Sequence, residues 1–95
     1  MTSEEMKQKI VAEIEADPMT AYNWKAELEA AKLNKTINRA KRKYYQRVRT
    51  GGKPRQNQLN QFRHIYAWAL VDGLSIYIEE LEERIAVYDE YRRTL

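Results

Sequence analysis

The sequence predicts an all-α fold: a long antiparallel helical hairpin with a short N-terminal helix packed at the end away from the turn. Three observations predict it. Gly and Pro are sparse, three and two in 95 residues, so little interrupts a helix-forming composition. Apolar residues recur every three or four positions over long stretches, which is the period of an amphipathic helix. The two longest periodic stretches flank one Gly-Gly turn, and their apolar stripes match when one is read backwards.

The first helix is expected over about 3–16. Thr2 with Glu5 has the spacing of a capping box, and Met6, Ile10 and Ile14 fall four apart on one narrow stripe. Glu5–Lys9 and Lys9–Glu13 have the one-turn spacing of favourable ion pairs. Asp17-Pro18 then stops the helix and offers an N-cap and first-turn proline to the next.

The second helix is expected over about 20–49, on the stripe Tyr22, Ala26, Ala30, Leu33, Ile37, Ala40, Tyr44, Val48. Thr50-Gly51-Gly52 supplies a C-terminal glycine, and Lys53-Pro54 prevents continuation. The third is expected over about 57–93, its start lying between Pro54 and Asn60. Its stripe is Leu59, Phe62, Tyr66, Leu70, Leu74, Tyr77, Leu81, Ile85, Tyr88. Folding the chain at residue 53 pairs Val48 with Leu59, Tyr44 with Phe62, Leu33 with Leu74 and Tyr22 with Ile85. Large residues then meet small ones in several layers. A second apolar line, Trp24, Leu28 and Ala31 with Val71 and Ile78, is left for the first helix to cover with Met6, Ile10 and Ile14. Gly73 inside the third helix is read as a close contact beside Asn34, the alternative being a break at Asp72-Gly73.

At 95 residues the chain is expected to form one domain, 1–95. There is no cysteine, which suits the cytoplasm. No apolar run approaches the ~20 residues that cross a bilayer, so no membrane partner is expected, and MTSEEMKQK lacks the layout of a secretory signal. A net charge of +3 hides strong segregation. Residues 1–29 carry −4, residues 30–71 carry eleven Lys and Arg with no acid, and residues 72–95 carry −4.

The cations follow the helical period. Lys32, Lys35, Arg39, Arg42, Gln46 and Arg49 form a line expected to run opposite the apolar stripe, since two residues rotate a helix by ~200°. A charged outer face and the helix macrodipole account for a few of these cations, but not for 42 residues without an acid. The expected function is therefore non-enzymatic binding of DNA or RNA by a basic arm, residues 32–55. Candidate contacts are Lys32, Lys35, Arg39, Arg42, Lys43, Tyr45, Arg47, Arg49, Lys53, Arg55 and Arg63. The cations would neutralise phosphates and Tyr45 would stack on a base. The alternative is a protein-interaction module: a small regulator docking on an acidic partner, or a homodimer, through Ile65, Trp68 and Ile76, with Trp68 facing away from the seam.

Catalytic chemistry is not expected. His64 is the only histidine and is read as a surface residue. Thiolates are absent, and Ser3 and Ser75 lie outside any nucleophile elbow. Gly51-Gly52 lacks the phosphate-loop pattern, and the Glu79–Glu83 carboxylates read as a solvated helix face. No cofactor and no metal is expected.

Overall fold

The structure is a computed structural model that describes residues 3–95. It comprises α1 (Glu4–Ala16), α2 (Thr20–Val48) and α3 (Pro54–Arg93), with no strand among the described residues. α2 and α3 pack antiparallel as a helical hairpin. The cross-links show the direction, since α2 partners descend as α3 partners ascend. Asn60 bonds the Val48 carbonyl at 3.0 Å, His64 the Arg42 carbonyl at 3.2 Å, and Tyr77 the Glu27 carboxylate at 2.6 Å.

The expected Thr2 cap lies outside the described residues. Ser3 caps α1, its hydroxyl accepting from the Met6 amide at 3.2 Å. Asp17 links α1 to α2, its carboxylate accepting from the Met19 amide at 3.0 Å. After α2 the backbone turns through Gly51 at φ +85°, a left-handed conformation that side chains disfavour. Asn57 closes this turn: its amide donates to the Gly52 carbonyl and its oxygen accepts from the Gly52 amide, both at 3.1 Å. α3 is continuous through Gly73, and a Cβ there would meet nothing within 4 Å. Neither a break nor a close approach explains this glycine, and the structure offers no other reason for it.

The chain divides into two compact units. The first comprises the residues up to Ala30 together with Tyr77–Leu95. Its core is Ile10, Ile14, Trp24, Leu81 and Val87, with Val11, Leu28, Ile85, Tyr88 and Tyr91 packed around it. Met6 is exposed and plays no part in this core. The ion pairs expected inside α1 give way to two that link α1 to α3: Arg84–Glu13 at 3.0 Å and Lys7–Glu90 at 3.8 Å. Arg84 also lies over the Trp24 ring, 5.4 Å from its centre, and Lys25 lies over Tyr88.

The second unit, Ala31–Ile76, holds the turn. Here the expected seam is replaced. Leu33, Tyr66 and Phe62, placed at the helix contact by the matching stripes, are 62%, 67% and 65% exposed, and Ile37, Tyr44 and Leu59 are exposed as well. The contact runs through Ala31, Lys35, Asn38, Arg42, Tyr45 and, just past α2, Arg49, against Asn57, Asn60, His64, Ala67 and Val71 of α3; Val48, Leu70 and Leu74 of the expected stripes are half-buried beside it. Steps of three and four make both sets heptad seams. The physical reason is size and hydrogen bonding. Ala31 and Ala67 let the helices approach, and Asn60 and His64 are satisfied by carbonyls of the facing helix. Tyr44, Phe62 and Tyr66 are turned outward, while Tyr45 stays half-buried.

Candidate nucleic-acid interface

The seam of the second unit determines where each cation goes. A residue that immediately follows a seam residue is turned ~100° from the contact in one sense, and a residue that immediately precedes one is turned in the other. In an antiparallel pair the same sense on both helices is the same side. Lys32, Arg39, Lys43 and Gln46 follow the seam residues Ala31, Asn38, Arg42 and Tyr45. Ile65, Trp68 and Asp72 follow His64, Ala67 and Val71 on α3. These seven residues therefore share one side, hereafter the basic side, which includes the one acid of the unit; Ile76, farther along α3, is exposed.

Arg42 ties this side together. It is half-buried, and its guanidinium lies 4.5 Å from the centre of the Trp68 ring. Its carbonyl meets His64 Nδ1 at 3.2 Å. A carbonyl only accepts, so Nδ1 carries the proton and the ring is held in one orientation. His64 is 7% exposed, which corrects its reading as a surface residue. Trp68 is 45% exposed, so it faces solvent as expected, and it lies beside Arg42 of α2.

The other predicted contacts divide. Lys35 is half-buried at the seam. Arg49 donates to Gln61 Oε1 at 3.3 Å, close to the turn. Lys53 and Arg55 line a surface groove of about 570 Å³ with Gln56, Gln58, Leu59 and Phe62. Arg47 is exposed on the outer surface of α2. Tyr45 and Arg63 leave the basic side. The Tyr45 ring is half-buried, edge-on to Tyr44 at 5.2 Å, with the Arg63 guanidinium 5.8 Å from its centre. Tyr45 thus has aromatic and cationic neighbours of its own, and Trp68 is the exposed ring on the basic side.

Electrostatically the second unit is close to one sign. It holds eleven Lys and Arg and a single acid, Asp72. Both ion pairs among the described residues belong to the first unit, so no cation of the second is paired with a carboxylate. No group of three or more His, Asp or Glu fit to hold a metal ion is found among the described residues. No helix is long and apolar enough to cross a membrane.

Sequence reasoning missed Asn60 and His64, whose side chains bond the Val48 and Arg42 carbonyls across the seam. Their signal was present as the spacing 57, 60, 64, 67, 71, but polar residues do not register in a search for apolar stripes. Comparison with protein-family models, with curated proteins and with solved structures finds no match to this chain.

Proposed function

We propose that the protein is a non-enzymatic nucleic-acid-binding module, and that the basic side of its second unit is the contact surface. One observation carries this reading. Lys32, Arg39 and Lys43 stand exposed along α2, about two turns and then one turn apart, unpaired, beside an exposed tryptophan whose ring is stacked by Arg42. Lysines and arginines spaced along a rigid helix neutralise consecutive phosphates and release their counterions. A tryptophan face accepts an unstacked base, and the arginine over it adds a cation beside the stack. Arg49, Lys53 and Arg55 extend the positive surface toward the turn, and Gln46 adds a neutral hydrogen-bonding group. The pattern favours backbone tracking with single-strand stacking over base-specific readout.

An acidic protein surface is the second reading, favoured by the exposed Ile65 and Ile76 on the helix that carries Trp68. The test separates the two. Fluorescence anisotropy of a labelled single-stranded oligonucleotide is titrated with the wild-type chain and with a triple variant, Lys32→Glu, Arg39→Glu, Lys43→Glu. All three positions are exposed, so helicity by circular dichroism should not change. Arg42→Glu is avoided because its half-buried stack would also be lost. We expect binding that weakens steeply with salt and falls at least about 100-fold in the triple variant. Absence of binding by the wild type at low salt would overturn the reading and leave the acidic partner.

A further inference from the structure

The side opposite the basic one is apolar. Ile37 and Tyr44 precede the seam residues Asn38 and Tyr45, and Leu59, Tyr66 and Leu70 precede Asn60, Ala67 and Val71. By the rotation argument all five lean to one side of the second unit. Leu33 and Phe62 lie beside them, somewhat farther around the same helices, and are exposed. We propose that this apolar side is the interface with a second copy of the same chain, and that the working form is a homodimer in which the second units complete a four-helix bundle.

Three observations commit the surface to a second copy. The first is area. Leu33, Ile37, Tyr44, Leu59, Phe62 and Tyr66 are between 43% and 67% exposed. For side chains of roughly 150–250 Å² each, they offer on the order of 600 Å² per copy before any backbone is counted. A stable interface takes about 800 Å² per partner, so this surface is of the right order, and a contiguous apolar patch of that size is uncommon on a monomer.

The second is need. The fully buried apolar residues of the second unit are Ala31, Ala67 and Val71; Val48, Leu70, Leu74 and Tyr45 are half-buried, and the rest of its seam is Asn60, His64 and half-buried polar side chains. Most of its large apolar residues are exposed. A helix pair with so small an interior depends on whatever covers it. A cover needed for folding must be present wherever the chain is made, and a second copy always is.

The third is charge. Lys32, Arg39 and Lys43 stand on the opposite side, so pairing the apolar sides leaves them on the two outer surfaces. Lys41 and Arg63 each precede a seam residue, and Lys53 and Arg55 line a groove with Leu59 and Phe62, so these four cations border the patch. The first unit of each copy brings thirteen acids against six cations to offset the second unit's excess. Two antiparallel helices with a stripe on one side form half of a four-helix bundle, and a two-fold axis supplies the other half.

This inference does not rest on nucleic-acid binding, and its test contains no oligonucleotide. Sedimentation equilibrium of the full chain is run from about 1 to 100 µM, with thermal melts at the same concentrations. We expect twice the 11.4 kDa chain mass and a midpoint that rises with concentration. Phe62→Glu and Tyr66→Glu place a charge at positions already exposed in the single chain, so they disturb no internal packing. In the dimer they should cut the association constant at least about 100-fold and remove the concentration dependence. Trp68→Ala, on the basic side, should leave the mass unchanged. A wild-type monomer at every concentration, with a constant midpoint, overturns the proposal and points to a heterologous partner. A dimer that Trp68→Ala dissociates while Phe62→Glu does not overturns the assigned face.

Discussion

Tyr77 and Glu27 show how a single contact sets a measurable property. The Tyr77 hydroxyl donates to the Glu27 carboxylate at 2.6 Å. That bond holds the phenol proton and raises the hydroxyl above its ordinary value of 10.0; desolvation and the charge of Glu27 push the same way. The folded state therefore holds the proton more tightly than the unfolded state. Its stabilisation is complete below the unfolded value near 10 and is lost as pH rises through the higher folded value. Ultraviolet titration of the tyrosines should show two phenols lagging in the wild type, Tyr77 and Tyr91, the second raised by desolvation and by Glu15. Glu27→Gln should move Tyr77 back toward the bulk of the tyrosines, and Tyr77→Phe should leave Tyr91 lagging alone. At the same scale, Arg42 reports on the basic side: Arg42→Ala should change the emission of Trp68, whose ring now lies under its guanidinium.

At the scale of the elements, α1 gives the clearest expectation. Ile10 and Ile14 are buried among Trp24, Leu81 and Val87. Ile14→Ala should cost about 2–5 kcal/mol, the usual range for deleting a buried isoleucine side chain to alanine. Met6→Ala, at an exposed position, should cost less than about 0.5 kcal/mol. Urea denaturation of the two variants checks both. The contrast marks what was legible in the sequence. Helix existence, order and approximate ends were readable, because Asp17-Pro18 and Gly51-Gly52 act locally, whereas the cap of α1 is Ser3 and not the expected Thr2. The core of the first unit was readable from Trp24, Leu28, Ile10 and Ile14. The seam of the second unit was not. The periodic stripes through Leu33 and Phe62 were real, but periodicity tells which residues share a face and not what that face meets. Ala31, Asn38, Asn60, His64 and Ala67 have the same period, and only the facing carbonyls of Arg42 and Val48 show why small and polar residues won the contact. The candidate site inherited this ambiguity. Its cations were found by composition alone. That Trp68 belongs beside Arg42, and that Tyr45 does not share their side, required the correct rotation.

Across the whole molecule, charge is divided as sharply as hydrophobicity. The cations of the second unit lack carboxylate partners, whereas the first unit pairs Arg84 and Lys7 with acids. Binding to a polyanion should then carry a salt slope set by the basic side. A plot of log affinity against log salt for single-stranded oligonucleotide should lose about 0.7 of slope for each phosphate contact removed, so the triple variant should lose roughly 2. Titrations at four salt concentrations measure it. Within the second unit, two surfaces are separated by one step along the chain: Ile37, Tyr44, Leu59, Tyr66 and Leu70 precede seam positions, and Lys32, Arg39 and Lys43 follow them. Substitution alters one surface at a time. A one-codon insertion between Asn38 and Tyr45 would instead swing every later α2 side chain by ~100°, exchanging what is wet for what is covered. The second unit is therefore built to evolve by replacement and to resist changes of length within its helices.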